Sequence, residues 1–540
     1  MLIERKESHA VRRLPDWLSY QAKRRPEAIA IVDGRRSISY GEFEAESNRL
    51  ARALKDAGCA RGDRVALLLP KSIEALTAMF AVLKADCVYV PMDTTSPATR
   101  LERILRISES VCVLAVQSTA RLLDEIVSDA ELAASIQVGW LDDGSSLEHA
   151  VGTGFCRNDL RGLPDAPVES MNGESDAAHI LFTSGSTGLP KGVVITHSNV
   201  IHFVQWANSY FGMRSTDRNS SHPPLHFDLS TFDIYGTIAV GAQLHLVPPE
   251  LNLMPHKLAG FIRDHRLTQW FSVPSVLNYM AKFDVIQQND FPELKRLLWC
   301  GEKFPTPPLI HWMQRLPHAE FVNLYGPTEA TIASSFYRVA KCPESETAEI
   351  PIGAACAGEE LLVLDESLQP VASSETGDLY IGGVGLSPGY WKDPEKTAQV
   401  FVKGPSGDRI YKTGDLAKIG EDGAIYLLGR SDSQIKSRGY RIELGEIETA
   451  VHATPGVQEA AVVAVESGFE GAAICCAYVP AEGSELNAIS LKEQLTKVLP
   501  KYMIPACWMQ LERMPRNGNG KADRPLLKEQ FRNQQARAAR

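Results

Sequence analysis

Apolar residues recur with two alternating periods along the first hundred positions. Residues 39–54 place apolar side chains three and four positions apart, which predicts an amphipathic helix. The run 64–70 is almost continuously apolar and predicts a buried strand, followed by a helix at 73–84 and a strand at 87–91. A strand, a helix and a strand in succession are typical of parallel sheets covered by helices. The same order returns near 193–248 and 267–325.

The pattern changes after about residue 350. Short strands bounded by turn residues are predicted at 377–383 and 423–429. The last part of the chain predicts a helix near 443–454, strands at 459–465 and 472–479, and a helix near 489–499. The sequence therefore predicts an α/β fold in two domains. Residues 1–431 form a large N-terminal domain of helix-covered sheets, and residues 432–540 form a small C-terminal α+β domain.

Composition excludes several classes of protein. With 540 residues, 44% hydrophobic and 23% charged, the chain is an ordinary globular protein with room for more than one domain. A net charge of −10 argues against nucleic-acid binding as the main activity. The first residues lack the apolar core of a signal peptide, and no run of about 18 apolar residues predicts a membrane span. The ten cysteines form no Cys-x-x-Cys pair, which indicates reduced thiols in the cytoplasm.

The segment Leu181-Phe-Thr-Ser-Gly-Ser-Thr-Gly-Leu-Pro-Lys-Gly192 concentrates glycines and hydroxyls and has a lysine at its end. Glycines let successive backbone N–H groups point into one concavity, while hydroxyls and a lysine add donors and positive charge. This chemistry suits a loop around a polyphosphate, although the Walker A spacing is absent and a flexible surface loop is the alternative. The candidate phosphate-binding residues are Thr183, Ser184, Gly185, Ser186, Thr187, Gly188 and Lys191.

Four further segments follow this loop: Asn323-Leu-Tyr-Gly-Pro-Thr-Glu329, Tyr411-Lys-Thr-Gly-Asp415, the stretch from Gly429 to Glu446, and Asn519-Gly-Lys-Ala-Asp-Arg524. In this order the set resembles the signature of adenylate-forming enzymes, which include acyl-CoA synthetases, luciferases and the adenylation domains of nonribosomal peptide synthetases. The resemblance extends from about residue 14 to residue 527. It implies a ligase that joins a carboxylate to the α-phosphate of ATP and releases pyrophosphate, with Mg²⁺ on the phosphates.

The resemblance assigns parts of the nucleotide to individual residues. Tyr325, next to Gly326, offers a ring for stacking adenine, and Asn323 pairs with its exocyclic amine. Asp415 and Arg430 hold the ribose. Thr328 donates to the α-phosphate, and Glu329 is the carboxylate suited to Mg²⁺. Without the resemblance, each of these residues reads as an ordinary turn or a solvated charge.

The same resemblance implies a mobile C-terminal domain. Lys521 is the catalytic cation that enters between the substrate carboxylate and the α-phosphate, as a compact point charge can do. Asp432 is the hinge about which the small domain turns. Turning withdraws Lys521 and brings Gly439 to the site, where a backbone without Cβ leaves a channel for an incoming thiol.

The segment His226-Phe-Asp-Leu-Ser-Thr-Phe-Asp-Ile-Tyr235 carries information on the substrate. In the amino-acid-activating branch the aspartate at the place of Asp228 pairs with the substrate ammonium, whereas the alternative here is a helix N-cap. Asp233 is the better candidate for a structural acid. The matching side-chain pocket is almost wholly apolar and suits a small or medium neutral amino acid such as proline, alanine, cysteine or threonine. It is formed by Leu229, Phe232, Ser272, Leu298, Cys300, Leu324, Ile332 and Ala333.

The chain stops soon after Lys521 without a carrier motif, which favours a free-standing enzyme. By resemblance it loads an amino acid onto the phosphopantetheine thiol of a separate carrier protein, as the proline- and D-alanine-activating ligases do. An acid–CoA ligase and a non-catalytic adenylate-binding subunit are the alternatives. One departure from the family pattern is Asp86, which stands where glycine is usual and is expected to matter little.

Overall fold

A computed structural model describes residues 11–142, 153–185, 188–466, 472–518 and 521–538. The first third of the chain alternates strands and helices, as the periodicity predicted. Its elements are α1 Leu14–Arg24, β1 Ile29–Asp33, β2 Arg36–Ser39, α2 Tyr40–Asp56, β3 Arg64–Leu68, α3 Ile73–Lys84, β4 Val88–Pro91, α4 Ala98–Ser108, β5 Ser110–Ala115, α5 Ala120–Ile126, α6 Ala130–Ser135, β6 Gln137–Trp140, β7 Thr153–Cys156 and α7 Arg157–Leu160.

The middle third continues the alternation and adds short antiparallel strands at its end. Its elements are β8 Ala177–Thr183, β9 Lys191–Thr196, α8 His197–Tyr210, β10 Arg218–Ser221, α9 Leu229–Thr231, α10 Thr237–Val240, β11 Gln243–Leu246, α11 Pro255–Asp264, β12 Gln269–Ser272, α12 Pro274–Lys282, β13 Arg296–Trp299, α13 Thr306–Arg315, β14 Glu320–Tyr325 and β15 Ser335–Arg338. A π-helical turn, Phe232–Gly236, joins α9 to α10.

The last third is richer in strands. Its elements are β16 Ala354–Ala355, β17 Glu359–Leu364, β18 Gly377–Gly383, β19 Gly389–Tyr390, α14 Pro394–Val400, β20 Phe401–Lys403, β21 Arg409–Ile419, β22 Ile425–Arg430, β23 Gln434–Ser437, β24 Tyr440–Glu443, α15 Leu444–His452, β25 Val457–Glu466, β26 Ala472–Pro480, α16 Ala488–Leu495, β27 Cys507–Gln510 and α17 Arg524–Ala538.

Two large sheets organise the N-terminal part. One has the order β16-β15-β14-β13-β12-β10-β11-β1-β2 and is parallel from β14 to β1. The other has the order β19-β9-β8-β4-β3-β5-β6-β7 and is parallel from β8 to β7. The carboxyl ends of neighbouring parallel strands meet at one edge, which is where ligands bind in open α/β sheets.

Helix α3 shows how the two sheets are joined. All of its residues except Glu74 are buried, and a helix that is apolar all round has to be covered on every side. Its residues share one hydrophobic cluster with Val65 of β3 and with Leu244 of β11, which belong to different sheets. Helix α2 begins where the sequence predicts, because the Ser39 side chain caps it and the Ser39 N–H donates to Oε2 of Glu42 at 2.8 Å.

The remaining strands form three smaller sheets. Strands β17, β18, β21, β20 and β22 make an antiparallel sheet of five, as the turn-rich pattern after residue 350 predicted. Strands β23 and β24 form a separate hairpin, and β25, β26 and β27 form the sheet of the small C-terminal part. All ten cysteines lie in the described residues and are free thiols. Among the described helices, none has the length and apolarity needed to cross a membrane.

Asp86 is a structural residue in a left-handed conformation. Its φ is 64°, a region that glycine and, less readily, aspartate adopt. Its carboxylate accepts hydrogen bonds from the N–H groups of Met171 at 2.9 Å and Asn172 at 3.2 Å, and from the hydroxyl of Ser170. Asp86 therefore anchors the segment that leads into β8.

Replacing Asp86 by glycine tests which of two effects is larger. Glycine relieves a left-handed strain of about 1 kcal/mol but removes three partly buried hydrogen bonds worth about 1 kcal/mol each. We expect Asp86→Gly to lower the thermal unfolding midpoint by about 2 °C or more, and Asp86→Asn, which keeps one acceptor oxygen, to lower it less. Scanning fluorimetry measures both, and an unchanged or raised midpoint in the glycine variant would contradict the anchoring role.

Candidate active site

The β23–β24 hairpin lies against the carboxyl edge of the large sheets and closes a cavity of about 110 Å³. Residues from both parts of the chain line this central cavity, and ten of the 24 lining residues were predicted from the sequence. The predicted residues among them are Thr183, Ser184, Asp228, Leu229, Tyr325, Gly326, Thr328, Asp415, Arg430 and Gly439. Five separate sequence segments thus meet at one place.

The glycine-rich loop follows β8 directly and doubles back on itself. A Cβ on Gly185 would lie 2.0 Å from the carbonyl oxygen of Leu189, so this position accepts no side chain. Gly188 donates its N–H to the Gly185 carbonyl at 3.0 Å. The buried Thr183 hydroxyl has no hydrogen-bond partner among the described residues, which fits a site for an acceptor-rich ligand such as a phosphate. Ser186 and Thr187 lie outside the described residues.

Asp415 holds the predicted nucleotide residues together. The Tyr325 hydroxyl donates to its Oδ2 at 2.5 Å, and Arg430 donates to its Oδ1 at 2.8 Å. Arg430 also forms a two-pronged ion pair with Asp432, with both N–O distances at 2.7 Å. One guanidinium therefore connects the predicted ribose carboxylate to the predicted hinge residue.

A larger cavity of about 750 Å³ adjoins the central one. The two share Tyr325, Asp415 and Arg430 in their walls. The larger cavity also reaches Asn323, whose side-chain amide donates to the Pro351 carbonyl at 2.9 Å, and the predicted pocket residue Leu324. Its size and its position beside Tyr325 suit a nucleoside, whereas the smaller cavity suits the groups that react.

Asp228 lies at the wall of the central cavity and does not cap a helix. It precedes α9 in a helical conformation, and its carboxylate accepts no capping hydrogen bond from the first turn of the helix. The Thr328 hydroxyl donates to its Oδ2 at 2.8 Å. Burial raises the pKa of Asp228 to about 6, although the hydrogen bond from Thr328 and the charge of Lys436 oppose the shift. A cation bound beside this carboxylate would stabilise its charged form.

Asp233 lies five residues further on, in a different environment. It is fully enclosed in the π-helical turn, and neither of its oxygens has a hydrogen-bond partner among the described side chains. Burial raises its pKa well above the ordinary value, although the charge of Lys71 acts in the opposite direction. Asp233 is therefore enclosed in the core, while Asp228 faces the cavity.

The residues of the predicted side-chain pocket are called the floor here. Leu229 lines the central cavity and Leu324 lines the larger one. All of the floor residues except Ser272 are buried in one hydrophobic cluster: Leu229, Phe232, Leu298, Cys300, Leu324, Ile332 and Ala333. Neither polar member adds a charge. The indole N–H of Trp270 donates to the Ser272 hydroxyl at 2.9 Å, and burial raises the pKa of the Cys300 thiol to about 12.

One residue of this floor, Ile332, and its neighbour Thr331 have strained backbones. Thr331 and Ile332 have φ values of 58° and 71°, a region that β-branched residues rarely adopt. The Thr331 hydroxyl donates to the Gly385 carbonyl at 2.7 Å, which helps to hold the turn. Such strain concentrates at binding sites, where the surrounding structure compensates for it.

Glu329 is completely buried behind the central cavity, with three partners. The Tyr390 hydroxyl donates to its Oε1 at 2.6 Å, Arg441 donates to its Oε2 at 2.6 Å, and the Lys191 ammonium lies 3.9 Å away. Burial alone would raise the pKa of Glu329, but the two cations and the phenol together lower it to about 2. The carboxylate is therefore ionised, as a metal ligand requires.

Within the described residues, no cluster of three or more acidic, histidine or cysteine side chains is arranged to hold a metal ion. Mg²⁺ takes few protein ligands when it also binds phosphates, so one ionised carboxylate fits that role. Glu329 is suited to it once Arg441 has withdrawn.

The structure does not bring Lys521 to the cavity. Lys521 is exposed, its backbone pairs with Asn517, and it is not among the described residues that line the cavity. Gly439 lies there instead: its N–H donates to Glu302 at 2.7 Å, and a Cβ on it would lie 2.6 Å from Val273. This is the arrangement expected when Gly439 is at the site and Lys521 is withdrawn.

Several residues at the site were not singled out from the sequence. Arg441 and Tyr390 contact Glu329, Lys436 lies 5.3 Å from the centre of the Tyr325 ring, and Arg100 forms a buried ion pair with Glu446. Arg441 does have a sequence signal. It alternates with the apolar Ile442 in a short strand, so its side chain points to the opposite face.

Residues 18–391 match the AMP-binding enzyme family, and residues 446–521 match the AMP-binding enzyme C-terminal domain. The chain belongs to the AMP-binding enzyme family. Its fold is similar to that of the Vibrio cholerae adenylation domain AlmE, with a TM-score of 0.84 at 24% identity, covering 99% of this chain and 100% of that one.

Two relatives in this family are similar over almost their whole length. An L-proline–[L-prolyl-carrier protein] ligase of Pseudomonas fluorescens is 36% identical, covering 96% of this chain and 99% of that protein. A ligase of the same name from Streptomyces coelicolor is 35% identical, covering 95% of each.

Proposed function

We propose that this enzyme activates a small neutral amino acid, with proline as the first candidate, as its adenylate. It then transfers the aminoacyl group to the phosphopantetheine thiol of a separate carrier protein. The observation that carries the proposal is the Asp228 carboxylate at the cavity wall, above an uncharged apolar floor and beside the predicted phosphate loop. The names of both relatives support the carrier and the amino acid.

In the adenylation step, the substrate ammonium pairs with Asp228, whose orientation is set by the Thr328 hydroxyl. This pairing directs the substrate carboxylate towards the α-phosphate of ATP. Thr183 offers its unpaired hydroxyl to the phosphates, and Tyr325, Asp415 and Arg430 hold the nucleoside. Glu329 would hold Mg²⁺, which would supply positive charge for the phosphates. Lys521 enters the site in the other arrangement of the small domain.

The chemistry of the floor favours proline over polar substrates of similar size. The Ser272 hydroxyl is engaged by Trp270, and the Cys300 thiol is neutral and buried, so neither is placed to satisfy a substrate hydroxyl or thiol. A buried polar group without a partner costs about 1–3 kcal/mol. The side chain of proline consists only of methylene groups and carries no such cost. The secondary ammonium of proline still has two N–H donors for Asp228.

A pyrophosphate-exchange assay with the purified protein, ATP and Mg²⁺ tests this function. The panel contains L- and D-proline, L- and D-alanine, L-threonine, L-cysteine, benzoate and octanoate. We expect exchange with L-proline above all others and none with the two acids that lack an amino group. Exchange only with benzoate or octanoate, followed by acyl transfer to free CoA, would replace the proposal by an acid–CoA ligase.

The pKa of Asp228 predicts how the amino-acid KM depends on pH. With a pKa of about 6, the carboxylate is ionised above pH 6 and loses its charge as the pH falls. We expect the KM to be constant above pH 7 and to rise about tenfold for each unit below pH 6. Asp228→Asn should raise the KM at every pH and remove this dependence. Asp264→Asn, which changes an exposed carboxylate, is the matched control, and a wild-type pH profile in Asp228→Asn would contradict the assignment.

Lys521 should act in adenylation although it is exposed in this arrangement. We expect Lys521→Ala to slow pyrophosphate exchange by about 10³-fold, because a positioned cation contributes that order of transition-state stabilisation. ATP affinity, measured by equilibrium dialysis, should change much less. Lys492→Ala removes an exposed lysine of the same domain and should behave as wild type. Exchange in Lys521→Ala within a factor of three of wild type would remove Lys521 from the mechanism.

A further inference from the structure

The ion pair between Arg441 and Glu329 joins the small domain to the carboxylate assigned to Mg²⁺. Arg441 lies in β24, its Nη1 is 2.6 Å from Oε2 of Glu329, and Glu329 is completely buried. We propose that Arg441 is a positioning residue for acyl transfer and that it occupies Glu329 alternately with Mg²⁺-pyrophosphate. The inference rests on the proposed function, and it assigns Arg441 a role of its own within it.

Glu329 cannot serve both partners at once. Its Oε1 accepts from Tyr390 and faces Lys191, and its Oε2 accepts from Arg441. Mg²⁺ requires carboxylate oxygens at about 2.0–2.1 Å in near-ideal geometry. A dication at that distance from Oε2 would lie against the Arg441 guanidinium in a buried place, where repulsion between like charges is strong. Binding of the metal therefore requires Arg441 to leave.

The position of Arg441 determines the position of the hairpin tip. The turn between β23 and β24 consists of Arg438 and Gly439, with φ values of 53° and 81°. Two positive φ values in a two-residue turn are typical of a tight type I′ hairpin, which moves as one piece. Arg441 follows two residues later, and the Ser184 hydroxyl donates to its carbonyl at 2.7 Å. When Arg441 docks on Glu329, Gly439 is held in the central cavity.

Other contacts support the docked hairpin without involving the metal ligand. The Tyr440 ring stacks on Tyr502 with centroids 3.6 Å apart, and it meets Phe227 edge-on at 5.0 Å. Arg100 and Glu446 form a buried ion pair between α4 and α15. Of the side chains of the hairpin named here, only Arg441 contacts the carboxylate assigned to the metal. It thereby makes docking conditional on the departure of pyrophosphate and its metal.

Hydrogen–deuterium exchange of the peptide covering 434–443 tests the competition directly. The wild-type protein is measured alone, with Mg²⁺, with pyrophosphate and EDTA, and with Mg²⁺ and pyrophosphate together. We expect the amides to exchange at least threefold faster only when both are present. In Arg441→Gln the exchange should be fast under all four conditions. Unchanged exchange in the wild-type protein with saturating Mg²⁺-pyrophosphate would overturn the proposal.

Two kinetic readouts should move in opposite directions in Arg441→Gln, which a folding defect would not produce. The half-saturating concentration of Mg²⁺-pyrophosphate in the exchange reaction should fall at least threefold, because a competitor is gone. Transfer from a separately prepared aminoacyl adenylate to 4′-phosphopantetheine should slow at least tenfold. Arg441→Lys, which keeps the charge but loses the planar fork, should be intermediate.

Arg513→Gln, which removes an exposed arginine of the same domain, should leave both readouts at wild-type values. Changes of the same sign in both readouts of a folded Arg441→Gln variant would contradict the positioning role. Should that variant not fold, Arg441→Lys and the four wild-type exchange measurements decide the question. The hydrogen-exchange experiment needs no amino acid. If the proposed substrate is wrong, the pyrophosphate-exchange panel will show it. If Arg441 does not compete with Mg²⁺-pyrophosphate, the hydrogen–deuterium exchange rates of residues 434–443 will show it.

Discussion

The arrangement of the two domains depends on the contacts that neutralise the buried carboxylate of Glu329. An uncompensated carboxylate in this place would be very unfavourable, and it is tolerated because Arg441, Lys191 and Tyr390 surround it. Two of these partners belong to the large domain, and Arg441 belongs to the small one. The requirement to neutralise one charge therefore becomes a requirement to hold the β23–β24 hairpin in the cleft.

Two buried aspartates near the proposed substrate site have different environments. Asp228 and Asp233 are five residues apart on one short helical segment, and burial raises the pKa of both. Asp233 is sealed in the core, whereas Asp228 meets Thr328 and the open cavity. The two aspartates therefore differ in their access to the cavity: Asp233 packs inside the core, and Asp228 is the carboxylate at the cavity wall that is proposed to bind the substrate ammonium.

The nucleotide end is organised around a chain of polar contacts from Tyr325 through Asp415 and Arg430 to Asp432. These four residues come from three segments, and Asp432 lies 107 positions after Tyr325. Arg430 forms ion pairs with both Asp415 and Asp432, so it links the expected ribose site to the predicted hinge residue. Replacing either aspartate would change the electrostatic environment of the other.

Sequence patterns were most reliable where local physics decides the outcome. The helix α3 has the bounds that its periodicity predicts, and α2 begins at its capping serine. The strand β18 also matches its predicted range, because turn residues bound it on both sides. Strand ends were less accurate. The predicted strand at 64–70 is Arg64–Leu68, since pairing with β4 and β5 and not the apolar run determines where a strand ends.

By itself the sequence determined the order of the elements, because that order depends on short-range periodicity and on turn residues. The resemblance of its motifs to adenylate-forming enzymes supplied the candidate phosphate loop, the candidate nucleotide residues and the preference for Asp228 over Asp233, and these assignments stay predictions. The tertiary structure alone decided that Arg441 neutralises Glu329, that Trp270 engages Ser272, and that Gly439 and not Lys521 lies in the cavity. Those outcomes depend on contacts between residues that are far apart in the sequence and meet only in the folded protein. Local sequence patterns do not predict such contacts.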